Sequence, residues 1–272
     1  MNGVVFGETL RRGWRTALYW GIGIGIYALY VLLIFGGDDT TRAQMADVMA
    51  TKLPGFIGQM FGIPDDINFM MSTLGFLSFV YFTYASIMLS IWAVLTGLSV
   101  TANDEESGVI NMLMALPIAR WRLVVERIAA NIVLLVGIVT GGLVGILIGF
   151  QFVPSEDVVL GSLLAALFGL VLVVSVVLVV TALLAVLVKR RSLAAGLAGG
   201  FVAISFLLNT LGNAAQSAIG DVLRNFSVFY HFDSADILQN GLALGSISIL
   251  TAVVIVVTWG AVQLFQRRDL GG

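Results

Sequence analysis

Of 272 residues, 59% are hydrophobic and 11% charged, and the mean hydropathy is +1.02, where an ordinary soluble domain carries roughly 25% charged residues. A soluble globular protein is excluded, disorder is excluded by the same apolarity, and a net charge of −2 leaves no basic footprint for nucleic acid. With no cysteine and His231 as the single histidine, the chain has neither a disulfide framework nor the ligand set of a zinc site.

Six apolar runs are long enough to cross the hydrocarbon core: 16–35, 75–101, 128–150, 158–188, 193–211 and 242–265. All are expected to be helical, because lipid leaves an open sheet edge unpaired and the alternating pattern of a membrane barrel is missing. The predicted class is an all-α integral membrane protein, multi-pass and residing in the cell membrane, with one domain over 1–272.

Before the first run, Phe6, Leu10 and Trp14 recur at i, i+4 and i+8, with Arg11, Arg12 and Arg15 beside them. This face can lie against lipid phosphates, or the arginines can simply fix topology. The run that follows is too long for a signal peptide and leads into Asp38-Asp39 rather than a small-residue cleavage site, so it is expected to be retained. Between the first and second runs, the apolar, acidic stretch Met45 to Phe61, broken by Pro54, reads as an interfacial helix. The second run is aromatic, with Phe76, Phe79, Tyr81, Phe82, Tyr84 and Trp92.

Residues 102–127 form the most informative stretch. Asp104 to Ser107 places negative charge and capping oxygens where a helix dipole favours them. Val109, Ile110, Leu113 and Leu116 then fall on one helical face, and Pro117 ends the helix. A second helix is expected to restart at Ile118, with Arg120, Arg122 and Arg127 at headgroup level. The apolar face fits a helix lying in the headgroup layer, and it equally fits a knob that inserts into a cytoplasmic partner.

Farther along, small residues recur at four-residue spacing as Gly21 and Gly25, as Gly141, Gly145 and Gly149, and as Gly196 and Gly200. They permit close backbone approach, either within one subunit or along a dimer seam. The fifth run ends in the polar residues Asn209, Thr210, Asn213 and Gln216.

Orientation follows from the fourteen lysines and arginines. Arg11, Arg12 and Arg15; Arg120, Arg122 and Arg127; Lys189, Arg190 and Arg191; and Arg267 and Arg268 all fall on one side, against Arg42, Lys52 and Arg224 on the other. Both termini are therefore expected to be cytoplasmic. Within the six runs there is no Asp, Glu, Lys, Arg or His, which disfavours a proton relay, a voltage sensor or an intramembrane aspartyl protease. Glu105 and Glu106 do not make a metalloprotease with a single histidine, so no catalytic and no metal-binding residue is assigned. Neither Lys52 nor Lys189 follows the glycines of a phosphate-binding loop, so energy for uphill transport would come from a separate ATPase chain.

The stretch Glu105-Glu106-Ser-Gly-Val-Ile-Asn-Met-Leu-Met-Ala-Leu-Pro-Ile-Ala-Arg-Trp-Arg122 resembles the acidic, Ser/Thr-Gly, Leu-rich, Leu-Pro signature after the second span of type-2 ABC transporter permeases. The aromatic stretch Phe226 to Leu238 is similar to that family's external segment before the last span, with Ser234 where the family often has Pro. The ending Phe265-Gln-Arg-Arg-Asp-Leu270 is similar to its usual tail.

The resemblance implies a permease subunit of an ATP-driven exporter. It would pair with a second permease, identical or homologous, and with separate ATPase subunits that bind ATP and Mg, this chain binding no cofactor. It also implies that Glu105, Glu106, Ser107, Gly108, Val109, Ile110, Leu113, Leu116, Pro117 and Arg120 contact the ATPase, and that residues 1–15, with Phe6, Leu10, Arg11, Arg12 and Trp14, form an interfacial elbow touching membrane lipids. The second and fifth spans would line the route, with Phe79, Phe82, Asn209 and Asn213 as path residues and apolar walls suited to a hydrophobic or amphipathic cargo. The alternative class is a stand-alone membrane facilitator or scaffold that needs no ATPase.

Overall fold

The computed structural model describes residues 3–35, 69, 72–103, 119–153, 159–188, 190–215 and 217–267. The stretch from Glu105 to Pro117 and the segment from Met45 to Phe61 lie outside the described residues.

Six helices are long and apolar enough to span a membrane among the described residues. They are α1 (Val4–Phe35), α2 (Thr73–Leu98), α3 (Arg120–Gly149), α4 (Leu160–Leu187), α5 (Arg191–Ala215) and, after two short helices, α8 (Leu244–Arg267). The short ones are α6 (Ala218–Asn225) and α7 (Ser234–Asn240). Within α2 the residues Leu77–Phe82 form a π-helical turn between two α-helical pieces. Each predicted run coincides with one helix; α1 and α3 begin well before their apolar stretches, in the polar turns that precede them, whereas α4 lies within its run.

α4 is the axis of the bundle. It is apolar on every side, so no face of it favours water, and α2, α3, α5, α7 and α8 all pack on it. Its few hydroxyls are consumed locally, with Ser175 Oγ donating to Val171 O at 2.7 Å and Thr181 Oγ1 to Val177 O at 2.8 Å. Gly97 of α2 makes this contact close, since a Cβ there would meet the Leu178 carbonyl oxygen at 2.9 Å.

α1 and α3 run parallel and form the tightest pair. Gly21 lies against Gly141 and Gly25 against Gly145: a Cβ on Gly25 would stand 2.7 Å from the Gly141 carbonyl oxygen, and one on Gly141 2.6 Å from that of Gly21. These glycines therefore serve packing inside the subunit. Gly196 and Gly200 of α5 face open space instead, on a helix that leaves Leu193, Leu197, Ile204, Leu207 and Leu211 exposed.

One expectation is corrected by the helix boundaries. α1 is continuous from Val4 to Phe35, so residues 4–15, within the expected elbow 1–15, continue the first span rather than forming a separate helix. No proline lies between Thr9 and Tyr19, and the helix runs on through Gly13 and Thr16.

Candidate functional site

Two constellations on this scaffold carry polar chemistry, one at each end of the bundle. At the basic end, α3 begins after extended Ala119 and brings Glu126 and Arg127 to the ends of the other helices. The Glu126 carboxylate accepts from the backbone N–H groups of Gly3 at 3.3 Å and Phe6 at 3.1 Å, where the start of α1 leaves donors unpaired. The neighbouring Arg127 guanidinium donates to the carbonyl oxygens of Ser99 at 3.2 Å and Val100 at 2.7 Å, which follow α2. An anion sits at a helix N-terminus and a cation beyond a helix C-terminus, both in the orientation that the helix dipole favours. An apolar plug of Val100, Leu123, Val124, Ile128, Val186 and Phe265 backs the clamp. Residues 104–118 thus leave from a stretch held by Arg127 and return into the helix that bears it.

Arg120, the one expected coupling residue within the described set, opens α3 in the same region. Phe6 and Leu10 are half-buried, Leu10 against the main core, while Arg11 and Arg12 are exposed and both hold Glu8, at 2.8 and 2.6 Å. Trp14 is half-exposed, with the Arg15 guanidinium over its ring at 5.5 Å.

At the opposite end, a cleft of about 120 Å³ opens between the π-helical turn of α2, the end of α5 and the segment 224–235. Phe79, Asn209 and Asn213 line it, together with Ser78, Thr83, Ser86, Thr210 and Tyr230. The wide turn at Leu77–Phe82 lets the Ser78 carbonyl accept from the Thr83 N–H and from Ser234 Oγ at 3.3 Å, while the two serine hydroxyls bond each other at 2.9 Å. Such turns within α-helices occur frequently at functional positions. On the α5 side, Ser227 Oγ donates to Ser205 O at 2.7 Å and Val228 N to Ser205 Oγ at 2.9 Å, which pins the segment after α6 to the helix. Arg224 pairs with Asp221 and covers the Tyr230 ring at 5.2 Å. Beside it, burial holds the half-buried His231 below the ordinary histidine value, against the opposing pull of its hydrogen bond to the Asn225 backbone.

Phe82 is the correction at this site. It is fully buried, edge-on to Tyr81 at 5.1 Å and to Phe232 at 6.2 Å, so it supports the cleft from beneath and does not line it. The widened turn gives adjacent residues different depths, leaving Phe79 at the surface of the cleft and Phe82 in the core. Sequence reasoning missed the Glu126–Arg127 clamp, whose only signal was an acid–base doublet at the mouth of a span, and it missed the serine pairs, which look like ordinary small residues until the fold brings them together.

Residues 6–270 match the family model for ABC-2 family transporter proteins. The chain belongs to this family. It is a type-2 ABC transporter permease, a transmembrane component that lacks the nucleotide-binding domain. No curated protein matches the sequence. Membership is consistent with the six apolar runs, which hold no Asp, Glu, Lys, Arg or His.

Proposed function

We propose that this permease is the membrane subunit of an ATP-driven exporter, working with a second permease and with separate ATPase subunits at its basic, cytoplasmic end. The single observation that carries the reading is the clamp at that end. Glu126 and Arg127 tie the start of α3 to the start of α1 and to the carbonyls that follow α2, so a push delivered to this end of α3 moves three helices. Glu105 to Pro117, with Arg120, is the docking element, and Val109, Ile110, Leu113 and Leu116 are the side chains that enter a groove on the ATPase.

The positive-inside bias supports cytoplasmic termini, and the cell membrane is the proposed residence. The exposed apolar faces of α5 and α8 give room for a second permease. Cargo leaves by the cleft lined by Phe79, Asn209 and Asn213, whose mixture of rings, amides and hydroxyls suits an amphipathic molecule.

Purification from native membranes in mild detergent tests the reading. A P-loop ATPase in stoichiometric amount with the wild type, and its loss with Leu113→Glu at equal expression, is the expected outcome. ATP-independent transport by the purified chain in liposomes would replace this reading with a facilitator.

A further inference from the structure

An apolar groove of about 570 Å³ runs along the bundle between α1 and α3, from Trp14 past Leu18, Ile22 and Gly137 to Ile148. Its floor is closed by the interlocked pairs Gly21–Gly141 and Gly25–Gly145, which leave no gap between the two helices. The lining residues Leu18, Ile22, Val133, Val144 and Ile148 are about half-exposed. From Trp14 to Leu29 the groove follows 16 residues of helix, a rise of about 22 Å at 1.5 Å per residue. That exceeds the half-thickness of a hydrocarbon core, about 15 Å.

The mouth of the groove is basic. Arg11 and Arg12 are both engaged by Glu8, whereas the Arg15 guanidinium stands over the Trp14 ring that forms the end of the groove. We propose that this groove holds an acyl chain of an anionic phospholipid, with the lipid phosphate at Arg15 and the chain lying on the α1/α3 seam. An aromatic ring and a guanidinium at headgroup level above an apolar channel one leaflet deep match a lipid from headgroup to tail.

A second copy of the chain fits this groove poorly. A two-fold contact through α1 would set Arg15 of one copy beside Arg15 of the other at the same membrane depth, and like charges oppose that. An anionic headgroup neutralises the same cluster.

Native mass spectrometry of the detergent-purified protein, given equal amounts of dioleoyl phosphatidylglycerol and dioleoyl phosphatidylcholine, tests the proposal. The wild type is expected to retain the glycerol lipid about fivefold over the choline lipid, the factor contributed by one basic side chain at an anionic surface. Arg15→Gln is expected to abolish the preference and Arg15→Lys to keep it. Gly137→Leu fills the groove without touching the helix seam, because a Cβ at Gly137 meets nothing within 4 Å. It is expected to lose both lipids with no fall in Tm. Equal retention of the two lipids by the wild type, undiminished retention by Gly137→Leu, or preference surviving in Arg15→Gln would each overturn the proposal. So would an oxidative cross-link between two copies of Ile22→Cys, the sole thiol of that variant, in native membranes.

Discussion

Replacing Gly141 by alanine adds one methyl group where two helices touch through their backbones. The new Cβ would lie 2.6 Å from the Gly21 carbonyl oxygen and 2.8 Å from its carbonyl carbon and Cα, whereas real Cβ atoms essentially never come closer than 3.0 Å. All three are backbone atoms, so no side chain can swing aside, and α1 must retreat from α3 by several tenths of an ångström. The Gly25–Gly145 contact lies one turn farther along the same seam and opens with it. Overpacking of this kind costs about 1–3 kcal/mol, against a gain of up to about 1 kcal/mol from placing alanine in a helix.

Gly137→Ala on the same helix is the control. Its Cβ meets nothing within 4 Å, so only the helix gain remains. The two variants should differ by about 1–3 kcal/mol, which at about 2–4 °C per kcal/mol is a Tm gap on the order of 5 °C in detergent. Gly141→Leu should widen the gap further. Equal Tm values for Gly141→Ala and Gly137→Ala would refute the close-seam account of α1 and α3.

Four other outcomes follow from named contacts. Glu126→Ala frees the N–H groups of Gly3 and Phe6, and should cost about 1–2 kcal/mol and speed hydrogen exchange over residues 3–8; unchanged exchange there would remove the cap. Arg127→Gln should loosen Ser99 and Val100 by the same readout and lower cargo-stimulated ATPase activity of the assembled transporter without lowering its expression. Ser234→Ala leaves Ser78 Oγ without its partner across the cleft and should lower the Tm by an amount equivalent to about 1 kcal/mol, whereas no change would mean that the pair contributes nothing. For His231 the folded pKa lies below the unfolded value of about 6.5, so its contribution is intact above that value and is lost as the pH falls through it. The protection of residues 226–235 against hydrogen exchange, measured relative to the intrinsic rate at each pH, should therefore fall as the pH drops below about 6.5, and pH-independent protection would contradict the burial of the imidazole.

The long-range architecture was legible from hydropathy because the membrane imposes it. A span needs a fixed length of apolar residues and a helical backbone, and runs such as 158–188 admit no other structure. Depth around the helices was less legible. Phe79 and Phe82 are both aromatic and three residues apart, and only the π-helical turn, which leaves no sequence signature, sends one to the cleft and the other to the core. The glycine repeats were visible, yet which of them meet a partner was not: Gly141 and Gly196 occupy similar four-residue patterns, and one is pressed on backbone while the other faces open space. Asn209 and Asn213 stood out as amides near the end of an apolar run, and both line the cleft. The helix of residues 4–15 was foreseen, but its continuity with the span was not, since basic residues at the headgroup level look the same whether the helix bends or runs on.

The claim at the centre of the account is that residues 104–118 connect these helices to an ATPase. Purification from the native membrane, followed by mass spectrometry of wild type and Leu113→Glu at matched expression, tests it most directly. A stoichiometric P-loop ATPase with the wild type, lost with Leu113→Glu, is the predicted result. A permease that is correctly inserted and active yet carries no ATPase, or a Leu113→Glu variant that keeps it in full amount, would contradict the account.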